Sequence, residues 1–256
     1  MSQGRITDMG HSIRARIKNL SDKKGLNFDY LLLRYAYERF LYRLGKSPYV
    51  RHFILKGACA FSIWTSPLFR VTRDADLLCF GDSSPARLLQ CFRDICDTPV
   101  DPDGVRFDIA SLEAQEIKKD AKYHGTRILF KAYIQSARVT LQFDIGFGDA
   151  IYPAPELQAY PGLLEGLNFP QILIYPRQTI VAEKYEAIVS RGMLNSRLKD
   201  YFDLWIALKN DPTAIFEDNA ITLLPGKTTL TLTTGKEYTA AKVKKELPTF
   251  HLRETY

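Results

Sequence analysis

An Asp-Ala-Asp step set in an extended run, Asp74-Ala75-Asp76-Leu77-Leu78, constrains this chain more than any other feature. In a strand successive side chains point to opposite faces, so Asp74 and Asp76 project together while Ala75 and Leu77 turn the other way. Two ionised carboxylates side by side repel each other unless a proton or a metal lies between them. Hard oxygen ligands of this kind suit Mg²⁺, which keeps several waters and completes its shell with substrate phosphates. The competing reading is a pair of solvated carboxylates at a strand end, a common outcome in a chain with 29 acidic residues.

A third carboxylate strengthens the first reading. Val139-Thr140-Leu141-Gln142-Phe143-Asp144-Ile145-Gly146 alternates apolar and polar residues, as a half-buried strand does. Val139, Leu141, Phe143 and Ile145 define its core face, and Asp144 lies on the other face with Thr140 and Gln142. Carboxylates from two neighbouring strands, with a glycine turn at Gly57 ahead of the first pair, form the arrangement used in metal-assisted nucleotidyl transfer. Asp74, Asp76 and Asp144 are therefore the expected metal ligands. Arg127 and Lys131 alternate with Ile128 and Phe130, and could face that cleft or simply solvate the sheet.

The surrounding pattern predicts an α+β fold. Helices are expected over 10–21 and 28–45, the second carrying Tyr30, Leu33, Tyr37, Phe40, Leu41 and Leu44 at helical spacing. A strand at 53–55, a helix at 58–64, a strand at 74–80 and a helix at 85–96 capped by Ser84 follow. Strands near 105–109, 113–118, 126–133 and 138–145 complete a mixed sheet, with the catalytic face expected at one edge. The stretch 152–176 carries Pro153, Pro155, Pro161, Pro170 and Pro176 and reads as an extended connection, placing a domain boundary near 150. Domains 1–150 and 151–256 follow, the second helical to about 210 and ending in a Thr-rich, strand-like tail over 218–256.

Within the second domain, 178–191 has helical periodicity, and Lys184 lies among Glu183 and Glu186. An ordinary surface ion pair is one reading of that lysine. A further helix over 195–209 is marked by Leu198, Tyr201, Phe202, Trp205 and Leu208, with Asn195 or Ser196 able to cap it. Asp200 and Asp203 share one of its faces, and a structural salt bridge is the simplest role for Asp203.

Composition narrows the function class. The formal charge of +6, with 14 Tyr and 15 Phe, favours anionic partners such as RNA or NTPs. Cys59, Cys79, Cys91 and Cys96 form no Cys-x-x-Cys pair and the four histidines are scattered, so neither a zinc site nor a disulfide framework is expected. Buried free thiols are the expectation. The N-terminal region is basic and has no long apolar core, so no signal peptide or membrane span is expected, and a cytoplasmic location is.

Five ordered blocks resemble the AbiEii/AbiGii nucleotidyltransferase toxins: Leu55-Lys56-Gly57-Ala58, Arg70 to Leu78, Gln142 to Asp149, Val181 to Ala187, and Asn195 to Trp205. The resemblance implies a polymerase-β-like nucleotidyltransferase fold with a helical C-terminal lobe. It also implies an Mg²⁺-dependent enzyme, Mn²⁺ being an alternative, that transfers NMP from an NTP to RNA, with tRNA as acceptor. Such proteins are toxins of toxin-antitoxin or phage-defence abortive-infection systems, so a cognate antitoxin is the expected partner; a monomer is expected. Asp74 and Asp76 match the metal-binding pair, Lys184 a phosphate-binding lysine and Asp200 a further catalytic carboxylate. Lys56, Gly57, Ala58, Arg70, Thr72 and Lys184 are the expected NTP contacts, with backbone groups at Gly57-Ala58 meeting the phosphates. The alternatives are a protein or small-molecule acceptor, or an inactive relative that binds RNA or antitoxin.

Overall fold

The computed structural model describes residues 3–64, 72–120, 123–191, 200, 203–204, 221–224 and 227–232. It divides into two compact units, Met1–Tyr175 and Pro176–Tyr256. In the first unit the elements are α1 (Gln3–Lys24), α2 (Phe28–Lys46), β1 (Phe53–Lys56), the single turn α3 (Gly57–Ala60), β2 (Ala75–Cys79), α4 (Pro85–Asp97), β3 (Val105–Asp120), β4 (Tyr123–Ile134), β5 (Ala137–Phe147), β6 (Glu156–Ala159) and β7 (Gln171–Ile174).

One seven-stranded sheet, ordered β3-β4-β5-β2-β1-β7-β6, organises this unit. It is mixed: β2 runs parallel to β5 and β1 parallel to β7, whereas the other pairs are antiparallel. The carboxylate-bearing strands β2 and β5 are neighbours near the middle of the sheet. The catalytic face expected at an edge is thus central, because β1, β7 and β6 extend the sheet beyond β2.

Helix α2 starts where Asn27 accepts a hydrogen bond from the Tyr30 N–H at 2.8 Å. From Leu31 to Leu44 it is buried almost all round, Leu33 excepted. A helix buried on every side must lodge its charged residues against partners. Arg43 grips Asp103 through two nitrogens at 2.7 and 3.2 Å, Arg39 pairs with Glu38, and Arg34 donates to the Pro161 carbonyl at 3.1 Å. On its sheet side, Phe40 lies 4.6 Å from Phe143 and 5.1 Å from Phe92 between ring centroids, with Phe130 and Phe107 completing an aromatic core.

Several local expectations are altered by sheet pairing. The two strands expected near 105–109 and 113–118 are one strand, β3, with a register shift between Asp108 and Glu113. Ser111 fills that irregularity: its hydroxyl donates to the Asp108 carbonyl at 2.7 Å and accepts from the Lys131 N–H at 2.8 Å. The helix expected over 58–64 is a single α turn followed by a 3₁₀ turn at Phe61–Ile63. The proline-rich stretch read as a connection contains β6 and β7, and the first unit runs to Tyr175 rather than to 150. Its prolines flank those strands, where a missing N–H costs no ladder bond.

The second unit contains α5 (Arg177–Arg191), helical residues at Asp200 and 203–204, and a hairpin of β8 (Ile221–Leu224) and β9 (Lys227–Leu232) in the threonine-rich segment. The rest of the helix expected over 195–209, and the tail beyond 232, lie outside the described residues. Among the described residues, no helix is long and apolar enough to cross a membrane. All four cysteines are buried free thiols, as expected.

Candidate active site

A transverse row of polar residues crosses the sheet. Lys56 on β1 is the register partner of Asp76 on β2, Asp76 that of Asp144 on β5, and Asp144 that of Arg127 on β4. Register partners share a face, so the row alternates cation, carboxylate, carboxylate, cation on the side opposite the Phe143 core. Asp76 is half-buried and Asp144 buried.

Each carboxylate of the expected set is held differently. Asp74, just before β2, accepts from the Thr72 hydroxyl, which lies 2.9 Å from Oδ1 and 3.0 Å from the Asp74 carbonyl; the Cys59 thiol lies 3.6 Å from that same carbonyl. Asp76 packs over Gly57, whose φ is +63°. A Cβ built on Gly57 would meet Asp76 Oδ2 at 2.1 Å, so the glycine is required both by backbone conformation and by space. Asp144 accepts both arms of Arg127, Nε to Oδ1 at 2.8 Å and Nη2 to Oδ2 at 2.9 Å. With its amide oxygen turned to Arg127, Gln142 accepts from the same two nitrogens at 3.1 Å.

The hydrogen bonds it donates to Asp144, with the nearby charges of Asp144, Asp74 and Asp76, hold the Arg127 guanidinium still more firmly protonated than usual. Arg127 is therefore the local counter-charge of the carboxylate patch. Among the described residues, no group of three or more His, Cys, Asp or Glu side chains is gathered as a ready metal cage. A carboxylate has about four lone-pair sites and the guanidinium fork occupies two, so Asp144 keeps acceptor capacity on its remaining side.

Beside the row, Lys56 donates to Asp149 Oδ2 and lies 5.0 Å above the Tyr175 ring, while the Tyr175 hydroxyl donates to Asp149 Oδ2 at 3.0 Å. Ala58 follows in the α3 turn, whereas Arg70 lies outside the described residues. In the second unit, Lys184 Nζ is 2.7 Å from Asp200 Oδ1 and 3.0 Å from Asp203 Oδ2, both carboxylates being almost fully buried. Asp203, read from sequence as a salt-bridge residue, shares the lysine with Asp200.

The sequence reading missed Asp149 and Tyr175, and left Arg127 between cleft and solvent. Asp149 closes the Gly146-Phe147-Gly148-Asp149 block, where a carboxylate after a glycine turn at a strand end was the available signal. Gly57→Ala is expected to force the Asp76 carboxylate aside, lowering turnover roughly 100-fold and stability by about 1–2 kcal/mol. Steady-state kinetics and a thermal melt check this, and wild-type turnover in the variant would contradict the geometry.

A mixed sheet with one carboxylate just ahead of a central strand and a second on it, a third on the parallel neighbour, and a glycine turn beneath Asp76 is the frame of a nucleotidyltransferase. The family model for the nucleotidyl transferase AbiEii toxin of type IV toxin-antitoxin systems matches residues 39–237, and the chain belongs to that family. Among solved structures, the chain is similar to JHP933 from Helicobacter pylori, at 20% identity, a TM-score of 0.48, and coverage of 72% of this chain and 68% of that one. It is similar also to an antigenic nucleotidyltransferase-like protein from Paracoccidioides brasiliensis, at 12% identity, a TM-score of 0.43, and coverage of 67% and 75%. A third similar structure is ANT(2")-Ia in complex with adenylyl-2"-tobramycin, at 15% identity, a TM-score of 0.35, and coverage of 67% and 84%. No curated protein gives a significant match.

Proposed function

We propose that this chain is a toxin that transfers NMP from an NTP to an RNA acceptor, with tRNA as the substrate and pyrophosphate as the product. The observation that carries the reading is the pairing of Asp76 with Asp144 on adjacent parallel strands, with Asp74 just ahead of β2 and Asp76 packed over the positive-φ turn at Gly57. The donor set, hard carboxylate oxygens that are partly exposed at Asp74 and Asp76, fits Mg²⁺ or Mn²⁺. Such an ion, when bound, supplies charge neutralisation at the phosphates and favours the attacking oxygen.

The chain's own groups then have distinct tasks. Asp74 and Asp76 hold the ion, Gly57 and Ala58 offer backbone approach to the triphosphate, and Lys56 and Thr72 border that approach. Asp144, oriented by Arg127, accepts a hydrogen bond from the acceptor hydroxyl on its remaining lone pairs and aligns it on the α-phosphorus. Lys184 is assigned to the NTP phosphates, with Asp200 and Asp203 fixing its ammonium. As the hydroxyl oxygen bonds to phosphorus it gives up its proton along the hydrogen bond to the Asp144 carboxylate, the bond to the pyrophosphate oxygen breaks, and pyrophosphate leaves with its electron pair. The net charge of +6 favours an anionic acceptor, and a type IV system implies an antitoxin that restrains the activity.

The acceptor is tested by incubating the protein with Mg²⁺, α-labelled NTPs and total bacterial extract, then dividing the product between ribonuclease and protease. Label removed by ribonuclease alone is the expected result. Label removed by protease alone, or carried on a small molecule, would overturn the RNA assignment.

A further inference from the structure

We propose that the buried Tyr37 hydroxyl is a positioning group that sets the separation between the start of β2 and the middle of β5, which carry the catalytic carboxylates; the proposal rests on the metal-dependent reading above. Tyr37 comes from α2 on the core side of the sheet, where its ring meets Phe143 edge-on with centroids 5.2 Å apart. Its oxygen lies 2.9 Å from the Arg73 carbonyl and 2.9 Å from the Gln142 carbonyl, and accepts the Gln142 N–H at 2.9 Å. Arg73 immediately precedes Asp74, and Gln142 is two residues before Asp144.

The register of the parallel β2–β5 pair begins at Ala75 opposite Phe143, so Asp74 lies before the first paired residue. Donating its one proton to the Arg73 carbonyl while accepting the Gln142 N–H, the phenol stitches the segment ahead of β2 to β5 where the ladder between them begins. A stitch is needed there because Asp74, Asp76 and Asp144 bring like charge to one patch, and repulsion acts to part the two strands. Burial raises the phenol's pKa well above its ordinary value, so the hydroxyl keeps the proton it donates. Tyr37 is only 2% exposed and acts from the face opposite the carboxylates, which excludes contact with substrate. It is a positioning residue and not a catalytic one.

Tyr37→Phe keeps the ring packing and removes only the stitch. Mn²⁺ binding to the full chain, in the presence of an NTP analogue with a non-cleavable α,β-bridge, is read from the loss of the free-ion paramagnetic resonance signal. The expected result is a Kd for Mn²⁺ raised about tenfold, the scale on which groups behind metal ligands act. The Gln142 amide is expected to exchange faster, the melting midpoint to fall by a few degrees because two backbone groups lose a partner, and kcat to fall while KM for NTP holds within about twofold. Mn²⁺ affinity equal to wild type would overturn the proposal alone. Absence of Mn²⁺ binding by the wild-type protein would overturn both it and the metal-dependent reading, so the two failures are distinct. Where the phenylalanine variant does not fold, 4-aminophenylalanine at position 37 restores a donor; Mn²⁺ affinity near wild type supports the stitch, and affinity still weakened tenfold in that folded variant overturns it.

Discussion

Replacing both paired carboxylates, Asp74→Asn with Asp76→Asn, is expected to lower nucleotide transfer by at least about 10³-fold while leaving the melting midpoint unchanged or higher. The two effects have opposite physical origins. On the proposed reading an ion held by these oxygens would contribute several kcal/mol to the transition state, and about 4 kcal/mol corresponds to three orders of magnitude in rate. In the absence of the ion the same carboxylates repel each other, so neutral amides of the same shape relieve a cost in the folded protein. Thr72 can still donate to the side-chain oxygen at position 74. Parallel kinetics and melting therefore separate a catalytic role from a structural one: a folded variant with wild-type turnover would remove this pair from the chemistry.

The second large effect is expected at Lys184. Its ammonium is shared by Asp200 and Asp203, which are 2% and 0% exposed. Removing the cation takes a shared counter-charge from two buried carboxylates, and breaking a buried ion pair typically costs about 3–5 kcal/mol. Lys184→Met is therefore expected to lower the unfolding free energy of the second unit by that amount, read from denaturant unfolding. Adding Asp203→Asn is expected to recover part of the loss, because one buried negative charge is removed and the two sites are directly coupled. A Lys184→Met protein as stable as wild type would mean that the lysine does not hold the two carboxylates in solution.

Much of the site's frame was legible because a strand's period of two assigns faces without any knowledge of the fold. The shared face of Asp76 and Asp144 follows in that way, and the positive-φ turn falls at Gly57 ahead of them; Asp74 lies just before the strand expected to carry it. The Arg127–Asp144 pair was legible in principle: β4 and β5 meet at the two-residue turn Gln135-Ser136, and Ile134 opposite Ala137 fixes Arg127 opposite Asp144 seven residues back along each strand. What local pattern cannot supply is which distant strands pair. The parallel neighbours β2 and β5, the joining of β7 to β1, and the reach of Tyr37 to a backbone 105 residues away all depend on non-local contacts. The same limit explains why 152–176 read as a connection, since strands of four residues beside prolines show little periodicity. In the second unit, helical spacing put Asp200 and Asp203 on one face, but their common partner Lys184 lies on another helix.

The central claim is that Asp74 and Asp76 support divalent-ion-dependent nucleotidyl transfer. It is tested most directly by supplying the protein with total bacterial tRNA and each α-labelled NTP in turn, with Mg²⁺ or with chelator, beside the Asp74→Asn Asp76→Asn variant. Label on tRNA with matching pyrophosphate release, abolished by chelator and by the variant, is the expected result. Transfer that persists in the folded variant, or no transfer to any RNA from any NTP with Mg²⁺ present, would contradict it.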